Sequence, residues 1–404
     1  MRSRIYYGYV VVASSFAIQW LSIGSIFTYG VFFKYLADEF GWSRATISGA
    51  SSLAFLTIGV MAIFAGRLND RFGPKIVMSV SAIILGVGYL LMSLLQAPWH
   101  LYLFYGVIIG TAMSSHDVVT LSTIARWFVR KRGMMTGIVK VGTGAGQLVV
   151  PLIASLLIAA NGWRMSYIIL GVVTMVLFLA VAQFLRRDPR QMGLLPDGET
   201  SVVSPGTESA EEGLSLRVAI RTRQFWTVCL AQFTVLFSLL TIVIHIVPHA
   251  TDLGISGPAA AGILSAIGGV SMVGRFTMGT ASDKIGLKRS LIICFVILIA
   301  GLLWLQVARE LWMFYLFALV YGFAHGGFFT LASPLIASLF GTKAHGAIFG
   351  MVYFMGNIGG AIGPLLAGYI FDVTLSYQIT FWIIAGLSSV GLLVISSLKP
   401  VSAK

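Results

Sequence analysis

"GRLNDRFGPK" occupies Gly66–Lys75, and a second version of the same pattern, "GTASDKIGLK", occupies Gly279–Lys288. Both stretches fit the frame G-x-x-x-D-R/K-x-G-x-K, and the second follows the first by 213 residues. Other features return at nearly the same offset, namely the Tyr-Gly pairs at 105–106 and 321–322 and the glycine-spaced runs that end at Pro151 and Pro364. These matches predict an internal duplication of the whole chain.

Apolar runs of about 20 residues recur along the 404-residue chain, which is 57% hydrophobic and only 10% charged. Soluble domains carry about 25% charged residues, and lipid forces a spanning segment to satisfy its own backbone groups as a helix. The sequence predicts an all-α membrane protein with twelve transmembrane helices in two pseudo-symmetric six-helix halves, which is a transporter architecture. The predicted spans are 9–34, 45–65, 76–95, 99–123, 134–158, 163–185, 222–248, 258–279, 289–308, 311–336, 344–371 and 376–397.

A polar segment separates the two predicted halves. Arg186–Ser215 is charged, contains Pro and Gly, and has no apolar periodicity, as expected of a linker. We predict an N-terminal six-helix half at 1–185, a cytoplasmic linker at 186–221 and a C-terminal six-helix half at 222–404.

The basic residues are distributed unequally between the predicted loops. With both termini placed in the cytoplasm, 21 of the 27 Lys and Arg residues fall in cytoplasmic loops and tails, and four fall on the outer side. This asymmetry follows the positive-inside rule. The net charge of +13 is therefore explained by membrane topology, and no nucleic-acid partner is predicted.

The duplicated loop resembles the signature loop of the major facilitator superfamily. In this motif Asp70 and Asp283 are expected to cap a neighbouring helix start, while the basic residues stay on the cytoplasmic side. The motif residues of interest are Gly66, Asp70, Arg71, Gly73, Asp283 and Gly286.

"WFVRKRGMMTGIVKVGTGAG" (Trp127–Gly146) resembles the helix-5 signature of the monocarboxylate transporter family. "YYGYVVV" (Tyr6–Val12) and "GVFFKYLADEFGWSR" (Gly30–Arg44) are similar to bacterial members of that family and to the related oxalate:formate antiporters. The resemblance covers the whole chain. It implies a small organic anion as partner, a bacterial inner membrane, and a monomeric functional unit.

Three charged residues lie deep inside predicted spans, near the bilayer centre: Asp117, Lys140 and Arg275. Each costs about 2.5–3.5 kcal/mol near the bilayer centre, so each requires an explanation. Counted from the cytoplasmic helix ends, the three lie at similar depth, and the resemblance places their helices around the transport cavity. We hypothesise that they share one wet cavity.

Arg275 is the candidate substrate residue. The acids of the C-terminal half all lie at span ends, and a guanidinium keeps its proton and binds carboxylates in a fork. The family resemblance also assigns the substrate carboxylate to this arginine. The alternative is a structural arginine bonded to backbone carbonyls or to Asp117.

Asp117 is the only acid within a predicted span. It is either a proton carrier, assisted by His116, or one half of a permanent ion pair with Lys140. Lys140 has three interpretations: a partner of Asp117, a second contact for the anion, or a side chain that snorkels towards the cytoplasm. Further candidate substrate contacts are Tyr29, His325, Tyr353 and Asn357, for each of which helix packing is the alternative.

No catalytic, nucleotide-binding or metal-binding motif occurs in the sequence, so we predict a protein that is not an enzyme and needs no cofactor. The predicted function is secondary transport of a small organic monocarboxylate of the lactate or pyruvate type, coupled to a proton. The alternative is an organic anion exchanger of the oxalate:formate type.

Overall fold

A computed structural model describes residues 6–198 and 213–398. Over these residues the chain is almost entirely helical, and the predicted all-α class is confirmed. Eleven helical segments in the described part are long and apolar enough to cross a membrane. One of them, Arg132–Ala182, holds two spans that meet at Gly162, where the backbone leaves helical geometry at φ 75° and ψ 164°. The described residues therefore contain the twelve predicted spans.

The spans are labelled α1 to α12 in chain order, and two of them are interrupted. Helix α1 breaks at Thr28, and α4 contains a π-helical stretch. The bounds are Tyr7–Phe27 with Tyr29–Phe40 for α1, Arg44–Phe72 for α2, Pro74–Met92 for α3, Pro98–Leu101 with Tyr102–Ile109, Gly110–Met113 and Ser115–Trp127 for α4, 132–161 for α5, 163–182 for α6, Arg223–Asp252 for α7, Gly257–Ile285 for α8, Leu287–Leu305 for α9, Leu311–Phe340 for α10, His345–Thr374 for α11 and Gln378–Ser396 for α12. Short 3₁₀ turns at Pro189–Met192 and Pro196–Gly198 and a short helix at Leu216–Ala219 complete the described structure.

Several helices extend past the predicted spans because those spans counted only apolar residues. Helix α2 continues seven residues beyond position 65, to Phe72, and α8 continues to Ile285. Both helices end at a glycine of the duplicated loop, Gly73 with φ 83° and Gly286 with φ 90°. Glycine adopts such positive φ angles without steric cost, which explains why both copies of the motif carry it.

Equivalent hydrogen bonds in the two halves support the duplication. The hydroxyl of Tyr105 in α4 donates to the carbonyl of Ile26 in α1 at 3.0 Å, and the hydroxyl of Tyr321 in α10 donates to the carbonyl of Leu239 in α7 at 2.8 Å. Each bond joins the first helix of a half to its fourth helix. The repeated Tyr-Gly pair therefore has the same packing role in both halves.

By their internal contacts the described residues group into two units. The first unit takes Met1–Arg130, Gly142–Gly213 and Thr342–Gly350, and the second takes Lys131–Val141, Leu214–Gly341 and Met351–Lys404, within the described ranges. Each unit follows one six-helix half except for two stretches. The start of α5 groups with the C-terminal helices, and the start of α11 groups with the N-terminal ones. The sequence division at 185 and 222 remains a prediction.

The first part of the linker is folded against the loop that precedes α5. The Asp197 carboxylate accepts the backbone N–H groups of Val129 and Arg130 at 2.9 and 2.8 Å. Tyr6 donates its hydroxyl to the carbonyl of Leu195 at 3.0 Å. Burial, followed by the charge of Asp197, raises the pKa of Tyr6 to about 12, so this hydroxyl remains a donor. We name this segment, 186–198 with its contacts, the linker clasp.

Candidate functional site

Asp283 of the second repeated loop caps the start of α5. Its two carboxylate oxygens accept the backbone N–H groups of Gly133 at 2.7 Å and Met134 at 2.8 Å. The first N–H groups of a helix have no intrahelical partner, and a negative charge at that end also interacts favourably with the helix dipole. The expected capping role of Asp283 is thus present within the second unit.

Asp70 of the first loop makes the equivalent cap at the start of α11. It accepts the backbone N–H groups of Gly346 at 3.3 Å and Ala347 at 2.9 Å. It also pairs with Arg126 of α4, whose Nη2 donates to Oδ1 at 2.8 Å and to the carbonyl of Thr342 at 3.1 Å. The side chain of Arg126 is only 2% exposed, so the first cap contains a buried ion pair.

The remaining motif residues have structural roles. A Cβ atom on Gly66 would lie 2.1 Å from the carbonyl oxygen of Gly346, so only glycine permits this close approach of α2 to the start of α11. Gly73 and Gly286 end their helices, and Arg71 stays exposed with its guanidinium 5.1 Å from the ring of Phe72. The duplicated motif therefore ends helices α2 and α8 and caps the starts of α11 and α5.

A buried polar cluster surrounds Asp117 in the first unit. The amide Nε2 of Gln19 in α1 donates to Oδ1 of Asp117 at 2.8 Å. Nε2 of His116 lies 3.6 Å from the other oxygen, Oδ2. Asp117 is 4% exposed and Gln19 is fully buried. We call Gln19, His116, Asp117, Thr120 and Thr143 the Asp117 cluster.

Two threonines hold Gln19 within this cluster. Its Nε2 donates to Oγ1 of Thr120 at 2.9 Å, and its Oε1 accepts the hydroxyl of Thr143 at 2.9 Å. Helices α1, α4 and α5 each supply part of the cluster. A buried amide bound at both ends restrains the position of the carboxylate beside it.

A second buried cluster surrounds Arg275 in the second unit. Nη1 of Arg275 in α8 donates to the backbone carbonyl of Lys140 in α5 at 3.1 Å, and the two residues are 3% and 2% exposed. Nζ of Lys140 lies 5.5 Å from the ring centroid of Phe329 in α10. His325 stands one turn earlier on α10, with its ring 5.0 Å from that of Phe329. We call Lys140, Arg275, His325 and Phe329 the Arg275 cluster.

Close backbone packing holds Arg275 in place. A Cβ atom on Gly137 of α5 would lie 2.5 Å from the carbonyl oxygen of Arg275. A Cβ atom on Gly326 of α10 would lie 2.8 Å from the backbone nitrogen of Arg275. Helix α8 therefore packs directly against both neighbours at this level. The bulk of a larger residue at 137 or 326 would displace the helix that carries the guanidinium.

The structure bears on the alternatives for the two cations. Arg275 donates one Nη atom to the backbone carbonyl of Lys140, which is a contact expected if Arg275 is a structural arginine. Lys140 is buried with its Nζ 5.5 Å from the ring centroid of Phe329, and its three interpretations remain predictions. Asp117 and Lys140 belong to different units, and their pairing and the shared cavity remain predictions.

The weaker candidates have local contacts. The Tyr29 hydroxyl donates to the carbonyl of Ile47 at 2.7 Å, and Asn357 donates to the carbonyl of Tyr353 at 2.8 Å. Nδ1 of His325 is buried and has no hydrogen-bond partner among the described residues. His325 belongs to the Arg275 cluster, and the substrate roles of all four candidates remain predictions.

The described residues contain no group of three or more His, Cys, Asp or Glu side chains that could hold a metal ion. The two clusters instead offer hydrogen-bond donors, one carboxylate, one guanidinium and one lysine amine. Such groups can bind an anion and carry a proton.

Sequence reasoning missed three partners of these charges. Gln19 stands in the apolar stretch "SFAIQWLSIG", where a lone amide is a recognisable polar interruption. Thr143 gave no signal, because threonine is common in membrane helices. Arg126 was assigned to a loop, since the predicted span ended at 123, whereas α4 continues to Trp127.

Known proteins share this architecture. A family model described as Major Facilitator Superfamily matches residues 15–279 and 246–404. The human protein "Monocarboxylate transporter 11" is 27% identical over 384 residues, which cover 93% of this chain and 79% of the human protein. Rat "Monocarboxylate transporter 12" is 24% identical over an alignment that covers 93% of this chain and 82% of the rat protein.

The solved structure of the proton:xylose symporter XylE superposes with a TM-score of 0.77 at 14% identity, over 98% of this chain and 96% of that one. At this identity the likeness concerns the fold. The sequence relatives are transporters and not enzymes.

Proposed function

The chain belongs to the major facilitator superfamily, and from this premise we propose that it transports small organic monocarboxylates of the lactate or pyruvate type together with a proton. Monocarboxylate transporters among its sequence relatives support the substrate class. The observation that carries the proposal is the Arg275 cluster, in which a guanidinium and an ammonium are buried and a histidine ring contacts the same phenylalanine, Phe329, as the ammonium.

Charge in the second unit favours an anionic ligand. Its four acids are Asp252, Asp283, Glu310 and Asp372, and each lies at or near a helix end. Lys140 and Arg275 give this unit two buried cationic side chains. A carboxylate that accepts two N–H bonds from Arg275 would compensate this charge with fork geometry.

We assign the proton to Asp117 and His116. A carboxylate inside a membrane span is costly and is typical of proton relays. Its contacts with Gln19 and His116 give it a defined polar environment without removing its ability to take a proton. In the proposed cycle Asp117 is protonated, Arg275 binds the substrate carboxylate, and the loaded protein exposes its ligand to the other side of the membrane.

The test is uptake of labelled lactate into proteoliposomes with and without an inward proton gradient. Accumulation that depends on the gradient is the expected result. Equal uptake in both conditions would refute proton coupling. Binding of lactate with no flux under any gradient would indicate a sensor and would refute transport.

Arg275→Lys tests the substrate site. Lysine keeps the charge but loses the fork, and a hydrogen bond to a charged group is worth about 1.5–3 kcal/mol, so lactate affinity should fall about 10- to 100-fold. Arg309→Lys is the matched control, because Arg309 lies outside the helices and donates to the carbonyl of Ala308. Unchanged affinity in a folded Arg275→Lys protein would remove Arg275 from the substrate role.

Lys140 favours a second candidate, an organic anion exchanger of the oxalate:formate type. Two cations in one cluster match a dianion better than a monoanion. Counterflow of oxalate against formate that ignores the pH gradient would select this function over symport.

We also propose that the protein acts as a monomer in a bacterial inner membrane with both termini in the cytoplasm. The distribution of Lys and Arg supports this orientation. Reporter fusions at the two ends would test it, and activity of an external reporter at either end would reverse the assignment.

A further inference from the structure

An apolar groove opens on the first unit where α1 begins and α6 ends. It is lined by Tyr9, Val10, Ala13 and Ser14 of α1 and by Phe184, which follows the end of α6 by two residues. Its volume is about 360 Å³. Tyr9 and Phe184 are 44% and 52% exposed, whereas the small side chains of Ala13 and Ser14 leave the space beside them open. We call these five residues the α1–α6 groove.

Hydrogen bonds hold the α6 side of this groove in position. The hydroxyl of Tyr7, at the start of α1, donates to the carbonyl of Phe184 at 2.9 Å. On the other side of α6, Nε2 of Gln183 donates to Oγ of Ser79 in α3 at 3.1 Å. The groove is therefore formed before any ligand binds, which lowers the cost of ordering on binding.

The depth of the groove corresponds to the headgroup end of a lipid acyl chain. Helix α1 begins at Tyr7, and Ser14 follows about 10 Å further along the helix axis. One leaflet of the hydrocarbon core is about 15 Å thick. An apolar groove that starts at a helix end and extends over this depth suits the first part of a hydrocarbon chain.

A guanidinium lies at the same helix end as the groove. Nη1 of Arg186 donates to the carbonyls of Gln183 at 2.7 Å and Leu185 at 3.0 Å. These two residues flank Phe184 in the chain, so the charge of Arg186 lies within one helical turn of the groove wall. The two carbonyls have no formal charge and leave the positive charge of Arg186 uncompensated by them.

The segment that carries Arg186 is basic. Residues 186–190 contain three arginines and one aspartate, a net charge of +2. The carboxylate of this aspartate, Asp188, accepts the backbone N–H of Arg190 at 2.9 Å. In the orientation proposed above, this end of the protein faces the cytoplasmic leaflet, whose anionic lipids attract basic segments beside a membrane helix.

We propose that the α1–α6 groove binds one acyl chain of an anionic phospholipid whose phosphate group pairs with Arg186. A guanidinium binds phosphate oxygens with two parallel N–H bonds, and the groove supplies the apolar surface for the chain. Charge also argues against a second copy of this protein as the occupant, because two copies that met here would bring like-charged segments together. The site does not depend on which substrate is transported.

The experiment is native mass spectrometry of the purified protein in detergent. The protein is titrated with dioleoylphosphatidylglycerol, which is anionic, and with dioleoylphosphatidylethanolamine, which has the same chains and no net charge. The wild-type protein should bind the anionic lipid more tightly. Arg186→Gln should weaken binding of the anionic lipid about fivefold and leave the other lipid unchanged.

Arg309→Gln is the matched control for the charge. Arg309 also donates from Nη1 to a nearby carbonyl, that of Ala308, but it belongs to the second unit. This variant should bind both lipids as the wild type does. Arg186→Lys keeps the charge without the fork, so its affinity for the anionic lipid should lie between those of the wild type and Arg186→Gln.

Ala13→Leu tests the groove itself and remains informative if Arg186→Gln does not fold. Ala13 is exposed, and a leucine there would fill part of the space that the acyl chain needs, so binding of the anionic lipid should weaken at least fivefold. Ala159→Leu is the control, because Ala159 of α5 is also exposed and does not line the groove.

Each contrary outcome overturns a defined part of the inference. Equal wild-type affinities for the two lipids would overturn selection of an anionic headgroup. Unchanged binding by a folded Arg186→Gln protein would remove Arg186 from the site, and unchanged binding by Ala13→Leu would remove the groove. A lipid-free dimer that Ala13→Leu dissociates would make a second copy the occupant. None of these measurements involves transport, so their failure would leave the proposed function untouched.

Discussion

The two repeated aspartates predict unequal stabilities for otherwise equivalent variants. Asp283 and Asp70 both accept two backbone N–H groups at a helix start. Asp70 also pairs with the buried arginine Arg126 at 2.8 Å, whereas Asp283 is an exposed residue. Replacement of Asp70 by alanine should therefore be more destabilising than the same change at Asp283.

The magnitudes follow from the two environments. Asp283→Ala removes a helix cap at an exposed position, and loss of such a cap costs about 1–2 kcal/mol. Asp70→Ala removes the equivalent cap and leaves the guanidinium of Arg126 buried without its carboxylate, which costs about 3–5 kcal/mol. The expected difference between the two variants is about 3 kcal/mol.

The assay is thermal unfolding of the purified proteins in one detergent at one scan rate, because unfolding temperatures depend on both. The unfolding temperature should fall in the order wild type, Asp283→Ala, Asp70→Ala. The double variant Asp70→Ala/Arg126→Gln should unfold at a higher temperature than Asp70→Ala, since it no longer buries an uncompensated cation. Equal losses at Asp70 and Asp283, or a double variant less stable than Asp70→Ala, would refute the reasoning.

Three further variants test individual contacts. Asp117→Asn should retain counterflow and lose accumulation driven by a proton gradient, and unchanged pH dependence of uptake would leave it a structural residue. Tyr29→Phe should cost about 1 kcal/mol of stability through the lost bond to the Ile47 carbonyl without changing the KM for lactate, whereas a raised KM would support a substrate contact. Asp197→Ala should loosen the linker clasp and increase cleavage near residue 198 in limited proteolysis, and an unchanged digestion pattern would remove Asp197 from that role.

Much of the fold could be predicted because lipid imposes strict requirements on sequence. An apolar run must be helical and must be long enough to span, so composition alone predicts the twelve spans. The ends of the predicted spans were less accurate. The predicted α2 stopped at 65, where apolar residues become sparse, but the helix continues to Phe72. A helix can continue through polar residues as long as its backbone hydrogen bonds continue, and here it ends at Gly73.

The charged residues of the candidate site were visible in the sequence because each is expensive in a membrane. Their neutral partners could not be predicted in the same way, because an amide or hydroxyl can form hydrogen bonds with nearby backbone and does not require a charged partner. Gln19 illustrates the limit. Only the structure shows that its amide is bound at both ends and points at Asp117.

Charge bookkeeping across the spans favours an anionic substrate in either protonation state. Lys140 and Arg275 contribute two positive charges, and Asp117 contributes one negative charge when ionised. These three residues then carry a net +1, which a monocarboxylate neutralises. When the Asp117–His116 pair takes its proton the net charge becomes +2, and binding of the monocarboxylate returns it to +1. A proton and a monoanion together add no charge, so the loaded and empty proteins carry the same intramembrane charge. Binding of the monocarboxylate therefore offsets the positive charge that the proton adds.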